Sequence, residues 1–308
     1  MRVGHHPLLR PGVVVCRRGD GALQIGLDPP LAVRAPDVAP VRALLADLRD
    51  GAPAPRLADL DPRAARCYLD LLDHHLVVDG DGFVAAIGRV GDLAAQQQLT
   101  SDVAEHGAVT QRLDRAQVTV GVEATGLADA GDALARLLQR AGFAIARQAL
   151  AAATDADAPR ADLVVLLDTG VTDRSVTDRL VVGDIPHLPV SCAEGRVRVG
   201  PFVVPGQSGC VRCVDAARAQ RDPRRPLLVE QYARHRSVWP AAVPHDLLHV
   251  AVGCAVREVS LWASGARPTT WSAVLEVDPA LTLPREPCPP HPECGCSWDL
   301  LYAGSPEA

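Results

Sequence analysis

Four cysteines in two close pairs, Cys210-x-x-Cys213 and Cys294-x-Cys296, are the residues of this chain best arranged for chemistry. A two-residue spacer lets two thiolates turn onto one ion at about 2.3 Å each, and a second close pair completes the closed, four-coordinate geometry of a structural zinc site. The first pair follows the turn-rich run Pro205-Gly206-Gln207-Ser208-Gly209 and lies outside any periodic segment. The second ends a run from Cys288 through prolines and His291 to Cys294, Gly295 and Cys296. Prolines hold that backbone extended, and the glycine relieves crowding around a metal. Cys288 and His291 are spare donors, either of which could replace one of the four. A redox dithiol or a disulfide is the competing use of such pairs. A redox Cys-x-x-Cys opens a helix after a strand; no thioredoxin-like pattern surrounds this one, and the spacing favours zinc.

Other reactive side chains read as structural. His245 and His249 are one helical turn apart, but Leu247, Leu248, Val250 and Val252 make their segment a buried helix with the histidines at its polar margin. His187 has no catalytic partner at readable spacing. Trp239, Trp262, Trp271 and Trp298 read as core or interface anchors, and Cys16, Cys67, Cys192 and Cys254, in apolar runs, as small buried hydrophobes.

The elements that must position the cysteines come from a chain of 308 residues, 48% hydrophobic, with a net charge of −6. At roughly 150 residues per domain this length supports two cores. The negative balance argues against a nucleic-acid surface. Lysine is absent, so all 31 basic side chains other than histidine are arginines. The N-terminus lacks an apolar signal core and no window reaches the roughly 18 apolar residues of a membrane span, so a cytoplasmic protein without membrane partners is expected.

Residues 1–88 read as a small winged-helix domain. Strands at 12–18 and 22–27 flank the hairpin residues Gly19-Asp20-Gly21, and a third strand covers 31–35. Helices are expected at 41–48, stopped by Asp50-Gly51, and at 61–75, with Asp61 as N-cap and Pro62 in the first turn. In the latter, Ala65, Tyr68, Leu69 and Leu72 form the buried stripe, leaving Arg63 and Arg66 outside. A terminal hairpin is expected from 76–79 and 83–86. No basic recognition helix is present to read DNA. The other use of such a module is to accept a peptide as an added strand backed by a helix. Leu31, Val33 and Arg34 would then meet the peptide backbone, Arg63 and Arg66 its acidic side chains, and proline at Val33 would remove a donor.

Residues 89–308 read as a Rossmann-type, doubly wound α/β domain carrying the cysteine pairs. A helical approach segment at 93–115 precedes strands at 118–121, 143–146 and 162–168, with a helix at 130–141 between the first two. A nucleotide turn needs Gly-x-Gly-x-x-Gly and an acid about 20 residues on. The run from Gly121 to Gly126 puts Glu123 where the middle glycine should admit a pyrophosphate, and Arg147-Gln148 stand where the acid should be. ATP is therefore not expected as a cofactor.

The runs Asp184-Ile185-Pro186-His187, Val199-Gly200-Pro201, Cys210-Val211-Arg212-Cys213 with Asp215, Arg221-Asp222-Pro223, and His291 to Cys296 resemble, in this order, the ThiF-like proteins of azoline peptide biosynthesis. These are the TOMM precursor leader-peptide-binding, or bacteriocin cyclodehydratase-domain, proteins. The N-terminal domain is similar to that family's RiPP recognition element. The resemblance implies a zinc tetrathiolate at Cys210, Cys213, Cys294 and Cys296, and a scaffold presenting a precursor peptide to a YcaO-type cyclodehydratase. It also implies a homodimer, with residues 269–277 as a candidate interface. Adenylating relatives carry a catalytic lysine and an arginine in the approach helix; this chain has no lysine and shows Ala94-Ala95-Gln96-Gln97-Gln98 there. It is placed with the non-adenylating members, without catalytic residues. The alternatives are an adenylyltransferase using Asp168 or Asp173 for magnesium, and a dimerising Rossmann remnant without a peptide ligand.

Overall fold

The computed structural model describes residues 5–106, 115–147, 161–234 and 240–296. Backbone contacts divide the chain into two compact units, Met1–Leu113 and Asp114–Ala308. Among the described residues no helix is long and apolar enough to cross a membrane.

In the first unit, β2 (Val15–Arg17), β3 (Ala22–Ile25) and β4 (Val33–Pro36) form an antiparallel sheet in the order β2-β3-β4, leaving β2 and β4 as edges. Helix α1 (Ala39–Asp50) ends at Gly51, which takes the left-handed φ of 70° that glycine adopts without penalty. Helix α2 (Pro62–Asp73) begins as the sequence predicts: Asp61 Oδ1 accepts from the Arg63 amide at 2.9 Å, satisfying one of the orphan N–H groups of the first turn. Leu23, Ile25, Val33, Leu44, Leu48 and Leu71 close this core. Removal of any one of these from water stabilises the unit by about 1.5–3 kcal/mol.

Three expectations differ here. The buried face of α2 is Ala64, Cys67, Tyr68 and Leu71, one residue round from the expected stripe, and Leu69 is 42% exposed. Two small residues, Ala64 and Cys67, share that face with Tyr68 and Leu71. The glycine-rich run after residue 79 is no hairpin: Asp79 accepts from the Asp81 amide and starts α3 (Gly80–Ile87). The strand before it, β5 (Val77–Asp79), pairs instead with β1 (Pro7–Leu9) from the N-terminus. Gly80 is required at that crossing, since a Cβ would lie 2.6 Å from the His6 carbonyl oxygen. Cys16, on β2, is exposed rather than buried.

The expected boundary after residue 88 falls inside the first unit. Helix α4 (Leu93–His106) packs Leu99 and Val103 against Val78 of β5.

The second unit is built on a seven-stranded sheet, ordered β12-β11-β10-β9-β8-β6-β7. Strands β6 (Thr119–Thr125), β7 (Ala144–Arg147), β8 (Leu163–Thr169) and β9 (His187–Ala193) are parallel. Strands β10 (Arg196–Val199), β11 (Ala273–Val277) and β12 (Arg285–Pro287) extend the sheet antiparallel. On one face lie α5 (Ala128–Arg140) and α9 (His245–Ala263); on the other lies α6 (Arg174–Val182). The apolar run of β8 serves both faces: Leu163, Val165 and Leu167 join the larger core, and Val164 and Leu166 pack on Leu180 of α6. That alternation is why a doubly covered strand reads as continuously hydrophobic. Trp262 stacks near Phe202, centroids 6.1 Å apart, whereas Trp239 and Trp298 lie outside the described residues.

Candidate metal centre and switch-point cleft

Helix α7 (Val211–Arg221) places the first cysteine pair, with Cys210 at its N-cap and Cys213 in its first turn. The Cys-x-x-Cys therefore opens a helix, a placement the turn-rich flank did not show and one that redox dithiols share. What separates the two uses is the second pair. Cys210 Sγ lies 3.8 Å from Cys213 Sγ and 3.5 Å from Cys294 Sγ, and Cys213 Sγ lies 3.4 Å from Cys296 Sγ. All four sulfurs fall within 4.8 Å of one another. A tetrahedron with metal–sulfur bonds of ~2.3 Å has sulfur–sulfur edges of ~3.8 Å, whereas a disulfide needs ~2.05 Å. The cluster thus has the size of a metal tetrathiolate.

Local structure closes the site. Cys210 and Cys213 are buried, and Val203 and Val181 pack beside them. Gly209, next to Cys210, touches the chain at Cys288: a Cβ there would sit 2.0 Å from the Cys288 carbonyl oxygen. Gly295 turns between the last two cysteines with φ 73°. The His291 amide donates to Cys213 Sγ at 3.3 Å, an orienting contact for a thiolate. Hydrogen bonding to Cys213, then to Cys294 and Cys296, pushes the Cys210 thiol up, while the Cys213 thiol is drawn down to about 7 by the bond from Cys210. Four crowded sulfurs cannot all ionise alone, and a divalent cation removes that conflict.

The spare donors stand outside the cluster. Cys288 is buried beside Val214 and Val274, and burial pushes its thiol to about 12. His291 turns Nδ1 to accept from the Glu293 amide at 3.2 Å.

The carboxyl ends of β6, β8 and β9 open on a cleft of about 1510 Å³. Chain order reverses between β6 and β8, and ligands of open α/β sheets bind at such a point. The turn is displaced from its expected place. Strand β6 continues to Thr125, so Glu123 lies on the strand, and the turn is Gly126 and Leu127 before α5 begins at Ala128. The fingerprint is therefore Gly126-x-Ala128-x-x-Gly131. Gly126 has φ 72° against Thr169, and a Cβ on Gly131 would meet Ala124 Cβ at 2.8 Å, the close helix–strand packing that the third glycine permits. At the middle position Ala128 adds a methyl where a pyrophosphate must approach, and Asp129 puts a carboxylate in the first turn. Arg147, at the end of β7, pairs with Asp132 at 2.7 Å.

Two of the three arginines lining the cleft are already engaged. Arg174 grips Asp215 through two bonds of 2.8 Å, and Arg212 grips Asp178 at 3.1 and 2.7 Å. Asp173, one candidate magnesium ligand, caps α6 through the Ser175 amide. Burial pushes the other, Asp168, upward, against opposing bonds from Thr125 and Thr172.

The five expected peptide contacts divide between two elements. Leu31 precedes β4 and is 36% exposed; Val33 is buried and Arg34 exposed, bonded to Asp20 at 2.7 Å. Arg63 and Arg66 lie on the outer side of α2, which packs beside β4, and pair with Asp61 and Asp70 at 3.0 Å. Backbone parity fixes which amides β4 leaves open. Ala22 accepts from Arg18 across to β2, so Leu23 and Ile25 face β4, and their partners Ala35 and Val33 bond inward. The outward amide is that of Arg34.

No family model and no curated protein matches the chain. Among solved structures, E. coli MccB with ATP superposes with a TM-score of 0.64 at 12% identity, over 95% of this chain and 99% of that one. MccB with MccA-N7isoAsn gives 0.63 at 11% identity, over 95% and 99%. The fold is that of MccB. The heterocyclase TruD gives a TM-score of 0.65 at 17% identity over 96% of this chain but 43% of TruD.

Proposed function

We propose that the chain is a leader-peptide-binding scaffold of azoline peptide biosynthesis, which captures a precursor on its first unit and presents it to a YcaO-type cyclodehydratase. The observation that carries this reading is the open edge of β4, with the Arg34 amide and carbonyl turned outward beside α2, whose outer side carries Arg63 and Arg66. Strand addition there draws affinity from main-chain bonds and specificity from alternate side chains. Solved complexes of the microcin C7 biosynthetic enzyme MccB with its peptide MccA, and the heterocyclase TruD, support a peptide-modifying setting. In this reading Cys210, Cys213, Cys294 and Cys296 hold a structural zinc, the protein works as a homodimer, and chemistry belongs to the partner.

The test uses the short peptides encoded beside the gene, synthesised with a fluorescent label and titrated against the full chain. One should bind, and Arg34→Pro should weaken it at least tenfold, whereas Arg34→Ala, which keeps the amide, should not. Equal binding by Arg34→Pro would defeat strand addition at β4. Val33→Pro is uninformative, because its amide bonds inward and its side chain fills the core.

An adenylyltransferase is the second reading, favoured by the cleft at the switch point and by the solved MccB–ATP complex. Ala128 and Asp129 in the phosphate turn weigh against it.

A further inference from the structure

Strands β10 and β11 bury Val197, Val199 and Val277 in the main core. Their other face carries Arg198 opposite Glu276, and Val274 opposite Glu286 of β12. Beside that face run the end of α7, with Arg218 and Arg221, and the start of α8 (Arg225–Arg234). Together with Arg285 these elements line a hollow of about 530 Å³. Five guanidiniums border it, and arginine keeps its charge at every physiological pH.

The carboxylates there are already taken. Glu286 accepts from Arg218 at 3.2 and 2.5 Å and from Arg221. Partial burial would raise its carboxyl, but those two arginines more than offset this and hold it at about 2. Glu276 is shared by Arg196 at 2.7 Å and Arg198 at 3.2 Å. Asp222 accepts from the Arg224 amide at 3.1 Å. Two cations remain in excess. Arg225 Nε has no hydrogen-bond partner although the atom is shut off from solvent, and Arg285 reaches only the Trp271 carbonyl at 3.5 Å.

We propose that this hollow binds an acidic peptide segment, whose Asp or Glu carboxylates meet Arg225 and Arg285. Charge complementarity selects the occupant: a local positive excess on a chain of net charge −6 requires an anion. Its form selects a peptide. One phosphate is a point that a guanidinium or two saturate, whereas these arginines are spread over β10, β12, α7 and α8 around an apolar floor of Val274 and Pro284. Such spacing suits several carboxylates on one chain, with their stems on the floor. The hollow lies wholly in the second unit, and its occupancy does not require capture at β4.

Fluorescein-labelled hexaglutamate, titrated into the full chain at low salt and read by anisotropy, should bind saturably, and hexaglutamine should not. Binding should weaken as salt screens the charges. Arg225→Ala with Arg285→Ala should weaken it about tenfold, at roughly threefold for each exposed pair. If the double variant fails to fold, Arg285→Ala alone, at an exposed residue bonded to no carboxylate, should give the threefold loss. Absence of hexaglutamate binding overturns the proposal. So does wild-type affinity in the folded variant, which would put the peptide on other arginines, or displacement by millimolar phosphate but not by chloride at the same ionic strength, which would make the hollow a phosphate site.

Discussion

Stripping zinc from the cysteine cluster should lower the melting temperature of the second unit by about 6–16 °C while leaving its sheet folded. The cluster ties the start of α7 to the segment after β12. Cross-linking a loop of roughly eighty residues removes ~4.5 kcal/mol of entropy from the unfolded chain. Mass action gives a similar figure: an ion held at 100 to 1,000 times its dissociation constant stabilises the folded state by ~2.7–4.1 kcal/mol. At ~2–4 °C per kcal/mol for a domain of this size, about 3–4 kcal/mol gives the stated shift. The sheet survives because the sulfurs pack with Val181 and Val203, apart from the core around Leu163, Leu188 and Leu248. Calorimetric melts of reductively purified protein before and after chelation, with elemental analysis, make the measurement. One zinc per chain is expected, and Cys294→Ser should reproduce the shift. Metal-free protein from a reducing purification, or an unchanged midpoint after zinc is removed, would refute the reasoning.

Titration calorimetry with magnesium-ATP should detect no binding at micromolar concentrations, since Ala128 and Asp129 obstruct the phosphate turn; micromolar affinity or pyrophosphate exchange would restore the adenylyltransferase. Glu258, 3% exposed on α9, accepts from the Thr270 amide at 2.6 Å, the Thr270 hydroxyl at 2.5 Å and the Thr269 hydroxyl. Glu258→Ala leaves three donors unpaired and should cost ~3 kcal/mol, visible as a lower denaturation midpoint; a change under 1 kcal/mol would show those donors rebonding, about the worth of one ordinary bond. His187 is wholly buried, and desolvation holds its pKa at about 4, below the ordinary 6.5. The unfolded chain therefore takes up the proton first: stability is complete above pH 6.5 and falls by up to about 3 kcal/mol as pH drops through 4. His187→Leu should flatten that slope in denaturant titrations, and an unaltered slope would assign it to other groups.

The parts legible in the sequence share one property, that their signal is local. Two short cysteine spacers announce a convergent site, and the Asp61-Pro62 start of α2 and the Gly51 stop of α1 are written in adjacent residues. The apolar run of β8 declares a strand covered on both faces. Misplacements arise where the deciding partner is remote. The nucleotide turn is read five residues early because Gly121 resembles a strand end, yet β6 continues to Thr125 in pairing with Asp168 of β8. The glycine-rich run after Asp79 has hairpin composition, but residues 77–79 already have a partner in β1, some seventy residues away along the chain. The tetrahedral distances likewise exclude Cys288 and His291, which spacing alone leaves as candidates.

Strand β4 shows the same limit at the scale of one amide. Alternation announces that Val33 and Ala35 face the core and Arg34 the solvent. It does not announce which main-chain groups face the free edge, because that depends on how β4 is registered against β3. The bond from Arg18 to Ala22 settles the parity, and through it the assignment of Arg34 as outward donor. A one-residue slip between β3 and β4 would exchange the roles of Val33 and Arg34. The residue that an added peptide strand must meet is thus set by the strand behind the edge on which it docks.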